Sequence, residues 1–203
     1  MTIDSKHWLE GAIRAVIPGG SPMPIRRCAV VHFTAGATAS STIGWWKKPA
    51  AKGTSAHVVI DRDGKIFQCR AFNKTAGHAG VSRWRDPETN VLYKNLNRCS
   101  IGIELANAGD DVELARRWSA LPLTKATHRN ESVVKLWEAF PPAQISACAK
   151  LLDALTEHYK LDDITGHDCI APERKVDPGP AFPMKDLREY CGFRGIPVVH
   201  WKK

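Results

Sequence analysis

No apolar run in the 203 residues approaches the roughly 20 that a membrane-spanning helix needs, so stable membrane insertion is not expected. The first residues, Met1-Thr2-Ile3-Asp4-Ser5-Lys6-His7, lack the positive-then-apolar layout of a secretory signal. Synthesis in the cytoplasm is the expectation, with action outside it only if the chain is released. There is no internal repeat and no low-complexity tract, which excludes solenoids and fibres. Six cysteines, Cys28, Cys69, Cys99, Cys148, Cys169 and Cys191, stand apart with no CxxC pair, several of them inside apolar runs. They read as reduced, mostly buried thiols rather than a disulfide framework. A formal charge of +8 implies an anionic partner, but no zinc finger, helix-turn-helix or aromatic-basic recognition pattern supports nucleic acid.

What remains is a chain with enough apolar residues, 43%, to build one core at this length. The pattern predicts an α/β fold: a mixed central β-sheet flanked by α-helices in a single domain. Strands are expected near 28–33, 57–61, 65–69 and 100–107, with Asp61-Arg62-Asp63-Gly64-Lys65 as the turn between the second and third. Helices are expected near 38–47 and 184–191. The clearest helix runs from Pro142 to Tyr159, where Ile145, Cys148, Leu151, Leu152, Leu155 and Tyr159 recur at helical spacing. Residues 1–24 form an N-terminal extension whose Trp8, Leu9, Ile13 and Val16 are spaced to dock a short helix. Residues 108–140 read as an insertion beside a groove, either covering the sheet or gripping substrate, within a catalytic domain spanning 25–195; residues 196–203 form a tail.

The densest chemistry lies in Gly166-His167-Asp168-Cys169-Ile170-Ala171-Pro172-Glu173-Arg174-Lys175-Val176-Asp177-Pro178-Gly179-Pro180. Prolines and glycines force such a segment out of regular structure, which lets a loop aim several side chains at one point. Imidazole nitrogen and carboxylate oxygen are both zinc donors, and a catalytic site needs three plus an open position. His167 and Asp177 supply two, and His32 is the best candidate for the third, because Cys28-Ala29-Val30-Val31 reads as a buried strand running into it. In Ser100-Ile101-Gly102-Ile103-Glu104-Leu105-Ala106, alternation puts Ile101, Ile103 and Leu105 on one face and leaves Glu104 between Gly102 and Ala106 on the other. A lone carboxylate among small neighbours suits a groove that needs a base. Lys175, two residues before Asp177, should point to the same side, and Arg174 away from it.

Each residue also has an ordinary alternative. His32 alone is a core histidine, Asp177 a turn residue before Pro178, Lys175 a solvated lysine and Glu104 an edge-strand carboxylate. Five ordered blocks tip the balance: Val30–Gly36, Ser55–Gln68, Ala76–Ser82, Ser100–Leu105 and His167–Pro180. In these blocks, from about Ile25 to Tyr190, the chain resembles the zinc-dependent N-acetylmuramoyl-L-alanine amidases of the amidase_2 family, whose fold peptidoglycan recognition proteins share. The resemblance implies that His32, His167 and Asp177 hold Zn2+, that Glu104 is the general base, that Lys175 stabilises developing negative charge, and that His78 lines the substrate groove. It gives His57 a structural hydrogen bond. Ala56 stands where bacteriophage relatives carry a catalytic tyrosine, which moves the base role onto Glu104, and Asp177 where some relatives carry a cysteine; Cys169 is expected to be a packing residue.

The implied reaction is hydrolysis of the amide between N-acetylmuramic acid and L-alanine. Peptidoglycan or a muropeptide would be the partner, and a monomer is expected. The basic charge favours an endolysin acting on the intact, polyanionic wall. The Asp177-Pro178-Gly179-Pro180 ending and the Glu104 and Lys175 pair resemble cytoplasmic recycling amidases of anhydromuramyl peptides. A third alternative, a muropeptide-binding protein without activity, usually lacks a zinc ligand.

Overall fold

The computed structural model describes residues 1–193, so the expected tail and the end of the 25–195 domain lie outside the described residues. Ten strands and five α-helices follow in the order β1 (Ile13–Arg14), β2 (Cys28–Phe33), α1 (Ala39–Trp46), β3 (Val58–Ile60), β4 (Ile66–Gln68), β5 (Arg83–Arg85), β6 (Leu92–Lys94), β7 (Ser100–Leu105), α2 (Val112–Trp118), β8 (Thr124–Thr127), β9 (Val134–Trp137), α3 (Pro142–Tyr159), β10 (Asp163–Gly166), α4 (His167–Ile170) and α5 (Met184–Tyr190). Six strands form one sheet in the order β1-β4-β3-β7-β2-β10. Only β3 and β4 pair antiparallel, across the expected Asp61–Lys65 turn, where Asp61 and Lys65 bond through their backbones and Gly64 takes a positive φ of 83°. β10, β2, β7 and β3 run parallel.

Buried on both faces, these central strands are apolar almost throughout. Ala29, Val31, Ile101, Ile103 and Leu105 turn to one face, where α3 lays down Cys148, Leu151, Leu152 and Leu155. That helix begins at Pro142, whose missing N–H costs nothing in a first turn. Burying the three leucines stabilises the fold by about 1.5–3 kcal/mol each. Cys28 and Val30 turn to the opposite face with Trp84, Leu96 and Ile170, while α1 packs Ala39, Ile43 and Trp46 beside Val59. All six cysteines are free and buried.

No helix forms at the N-terminus. Asp4 accepts the Lys6 and Trp8 N–H groups in a tight turn, Ile3 pairs with Leu9, and β1 adds to the sheet edge beside β4. Gly11, at φ 79°, breaks the spacing after Leu9, and Ile13 and Val16 are exposed, so a helix would have had one apolar anchor rather than four.

The 108–140 segment has secondary structure of its own. It contains α2, capped by the Asp111 carboxylate on the Leu114 N–H, and the β8–β9 hairpin. Its base is fastened by Arg62, which grips Glu138 with two bonds of 2.9 Å. Its tip, His128–Asn130, lies against the back of the His167 segment: His128 Nε2 and Arg129 Nε both reach Asp168 Oδ2 at 3.1 Å, and Asn130 Nδ2 donates to the Asp168 carbonyl at 3.0 Å. No residue of 108–140 lines the cleft described below. The hairpin braces the loop from behind.

Candidate metal centre and cleft

Strand register assembles the site. His32 and Glu104 are directly paired across β2 and β7, on the face opposite α3. On the other side of β2, Gly166 pairs with Val31, so His167, the next residue, arrives beside His32 at the carboxyl end of the parallel strands. That end is where open α/β sheets place their ligands. His167 begins a short helix rather than a loop, and this turn sends the Cys169 thiol to Asp168 Oδ1 and Arg129 instead of toward the two histidines. The chain then returns through Lys175 to Asp177.

Three atoms converge: His32 Nδ1, His167 Nδ1 and Asp177 Oδ2 stand 2.9 Å from one another, all buried. Among the described residues this is the one cluster able to hold a metal ion. Its donor set fits a cation. Two ring nitrogens facing each other at hydrogen-bond distance have at most one proton to share, whereas lone pairs on both, beside a carboxylate, suit a positive ion. The outer nitrogens already have partners: His32 Nε2 lies 3.0 Å from His78 Nδ1, and His167 Nε2 lies 3.2 Å from the Ala79 carbonyl. A carbonyl only accepts, so a proton on His167 Nε2 satisfies Ala79 and leaves Nδ1 bare; Arg174 Nη2, 3.4 Å from the same nitrogen, makes its shorter bonds to the Ala79 and Val81 carbonyls.

Electrostatics agree with that state. Burial, with the neighbouring His167, lowers the His32 pKa to about 4, so the ring is neutral at pH 7. Burial alone would raise Asp177, but the His167 and His32 rings beside it outweigh that and hold it well below the usual carboxylate range, so it is the ionised member of the triad. Glu104 is the opposite case. Burial, helped by the Asp177 charge and opposed by Lys175, pushes its carboxyl well above the usual value, and its buried Oε2 has no hydrogen-bond partner.

A cleft of about 460 Å³ opens over the triad and is lined by Glu104, Lys175 and His78 as well as the three convergent residues. Lys175 and Asp177 therefore share a side, as alternation requires. Arg174 points away from the cleft but does not end in solvent: it donates to the Ala79 and Val81 carbonyls, and its Nη2 lies 3.4 Å from His167 Nε2. His57 is structural, accepting from the Gly102 N–H and bonding the Lys74 carbonyl. Sequence reasoning missed the wall that α1 builds, Ser41, Thr42 and Trp45, together with Thr54. Its available signal was the Trp45-Trp46 pair: a helix buries one of two adjacent tryptophans, and here Trp46 is buried while Trp45 is 48% exposed on the rim.

Two imidazoles and a carboxylate at the carboxyl ends of parallel strands, with a further carboxylate in the same cleft, are a donor set able to hold a metal ion, of the kind hydrolases use. The sequence profile of the N-acetylmuramoyl-L-alanine amidase family, Amidase_2, matches residues 21–180, and the chain belongs to that family. It is 33% identical over 171 residues to the N-acetylmuramoyl-L-alanine amidase AmiD of Escherichia coli K12, an alignment covering 82% of this chain and 53% of that protein. To the 1,6-anhydro-N-acetylmuramyl-L-alanine amidase AmpD of Citrobacter freundii it is 37% identical over 136 residues, 66% of this chain and 55% of the relative. The chain thus spans about half the length of the curated relatives it matches. A solved complex of E. coli AmiD with the substrate anhydro-N-acetylmuramic acid-L-Ala-D-γ-Glu-L-Lys superposes with a TM-score of 0.62 at 26% identity, covering 99% of this chain and 65% of that one.

Proposed function

We propose that this chain hydrolyses the amide between N-acetylmuramic acid and L-alanine, using zinc held by His32, His167 and Asp177. The observation that carries the proposal is the convergence of those three donors at 2.9 Å in a cleft shared with the unpartnered Glu104 Oε2. When bound, the ion would polarise the scissile carbonyl and bring the pKa of water toward about 7, worth several kcal/mol in the transition state. The protein's own groups do the rest. Asp177 is the one carboxylate among the three donors, so its single negative charge would leave a bound dication with net positive charge. Glu104 takes the proton of the attacking water and passes it to the alanine nitrogen, because an amine does not leave as an anion. Its raised pKa favours this, since a base works best when its pKa lies near the working pH. Lys175 faces the carbonyl oxygen as it gains charge. His78 offers the substrate a ring face rather than a hydrogen bond, because both its nitrogens have protein partners.

Soluble anhydromuramyl peptides are the first substrates to test, because the AmpD relative is a 1,6-anhydro-N-acetylmuramyl-L-alanine amidase and the solved AmiD complex holds an anhydromuramyl tripeptide. Action on the intact wall, as an endolysin, is the second reading; the +8 charge favours it, since cross-linked peptidoglycan is a polyanion. The purified chain is incubated with an anhydromuramyl tripeptide and separately with isolated sacculi, with and without chelator, and free peptide is measured by mass spectrometry. Release that stops on chelation and returns with zinc is expected. A protein that binds zinc and muropeptide yet releases no peptide from either substrate would be a recognition protein instead.

A further inference from the structure

The two ring nitrogens of the cleft-lining His78 belong to a buried chain of contacts that runs from His32 into the core and takes no part in the steps above. His32 Nε2 lies 3.0 Å from His78 Nδ1, His78 Nε2 lies 3.3 Å from Ser100 Oγ, and Ser100 Oγ donates to the Leu96 carbonyl at 2.7 Å. All three side chains are buried. We infer that His78 is a positioning residue: with the Ala79 carbonyl beside it, it fixes both histidines of the triad in the tautomer that leaves Nδ1 bare toward Asp177. This rests on reading the triad as a zinc site.

Proton directions follow from the far end. The Leu96 carbonyl only accepts, so the short Ser100 bond consumes the hydroxyl proton, and Ser100 Oγ meets His78 Nε2 with a lone pair. His78 therefore carries its proton on Nε2 and accepts at Nδ1, and His32 must be the donor, from Nε2. Reversing the chain would leave two oxygens 2.7 Å apart with no proton between them, forfeiting the strongest of the three bonds. His57 stands outside this relay, because its two nitrogens are taken by the Gly102 N–H and the Lys74 carbonyl.

The backbone holds the relay in place. Asn97 Oδ1 accepts the N–H groups of both His78 and Ala79, at 3.1 and 2.8 Å. The His78 ring lies flat on β7 because residue 102 is glycine; a Cβ there would stand 2.4 Å from the ring. The next residue, Ala79, turns its carbonyl to His167 Nε2 at 3.2 Å. Two consecutive residues of one pinned turn thus set the outer nitrogens of both ring ligands. Partners of this type commonly alter metal affinity by about 10–100-fold.

The test uses the full chain, with zinc affinity measured by competition with a chromogenic chelator and the ring protons of the metal-stripped wild type located by 15N–1H NMR correlation. His32 and His167 should both be protonated at Nε2. His78→Leu should weaken zinc binding about 10–100-fold. His78→Asn, which restores an acceptor near Nδ1, should recover most of that loss. Ser100→Ala, a change small enough to leave packing intact if His78→Leu fails to fold, should give a lesser loss and a mixture of His78 tautomers. A wild type that binds no zinc overturns the metal reading and the relay's purpose with it. Zinc-binding wild type with His32 protonated at Nδ1, or a folded His78→Leu that holds zinc as tightly as wild type, overturns the relay alone.

Discussion

The two halves of the cleft are built on opposite terms. On the His32, His167 and Asp177 side every ring nitrogen has a partner, from the Ala79 carbonyl, the Ser100–Leu96 pair or the triad itself. On the Glu104 side a buried carboxylate oxygen has none. An unsatisfied buried polar atom costs about 1–3 kcal/mol, so the fold tolerates at Glu104 what it avoids a few ångströms away. The first half gathers three donors around one point; the second presents a carboxylate to the cleft. Damage to the first should cost metal and order, and damage to the second should cost rate alone.

The largest effect is expected from the first half. His167→Ala removes a donor that no neighbour replaces, so zinc content measured by atomic absorption should fall below stoichiometry and peptide release should fall to background. Next comes Glu104→Gln: the side chain keeps its shape but accepts no proton, and turnover should drop by about 10²–10⁴-fold with zinc retained. Its melting temperature should hold or rise, because a neutral amide replaces a buried, unpartnered carboxylate. Lys175→Ala should lower turnover by about 10²–10³-fold with little change in KM.

A pH profile sharpens the contrast. Glu104 works ionised and its pKa is raised, so activity should fall as pH drops through a value above the usual 4.3 or so of a glutamate. Lys175 opposes that rise, so Lys175→Ala should move the acid limb to still higher pH. Smaller effects belong to the braces. His128→Ala strips one of the two side chains that reach Oδ2 of the buried Asp168 and should cost roughly 1–3 kcal/mol in a denaturant titration while turnover of the folded protein changes little. Arg174→Ala should have the least effect on rate, because that guanidinium ties down carbonyls behind His167 and never enters the cleft.

Much of this was legible in the chain. Strict alternation in Ser100–Leu105 placed Glu104 opposite the core, and the run into His32 marked a strand whose observed bounds, Cys28–Phe33, match the expected 28–33. Both depend on short-range periodicity, which one buried sheet face enforces. What stayed hidden depends on pairing across long separations. β10 is four residues long and carries Asp163 and Thr165, so it was not among the expected strands; only its pairing with β2 makes it the strand that delivers His167. The placement of the insertion rests on Asp168, forty residues from His128, and no local pattern announces such a contact. His78 does line the cleft as expected, but its contact with Ser100 was hidden because it depends on a close approach that only a glycine on β7 allows. The N-terminal spacing misled because helical periodicity over a few residues is weaker than an open sheet edge.

The most direct test is to measure zinc content and turnover on one preparation of Glu104→Gln beside the wild type. One zinc per chain in both, with peptide release reduced by about 10²–10⁴-fold in the variant, is the expected result. Full turnover in the variant, or wild-type turnover that survives complete removal of metal, would contradict the division of the cleft into a metal half and a base half.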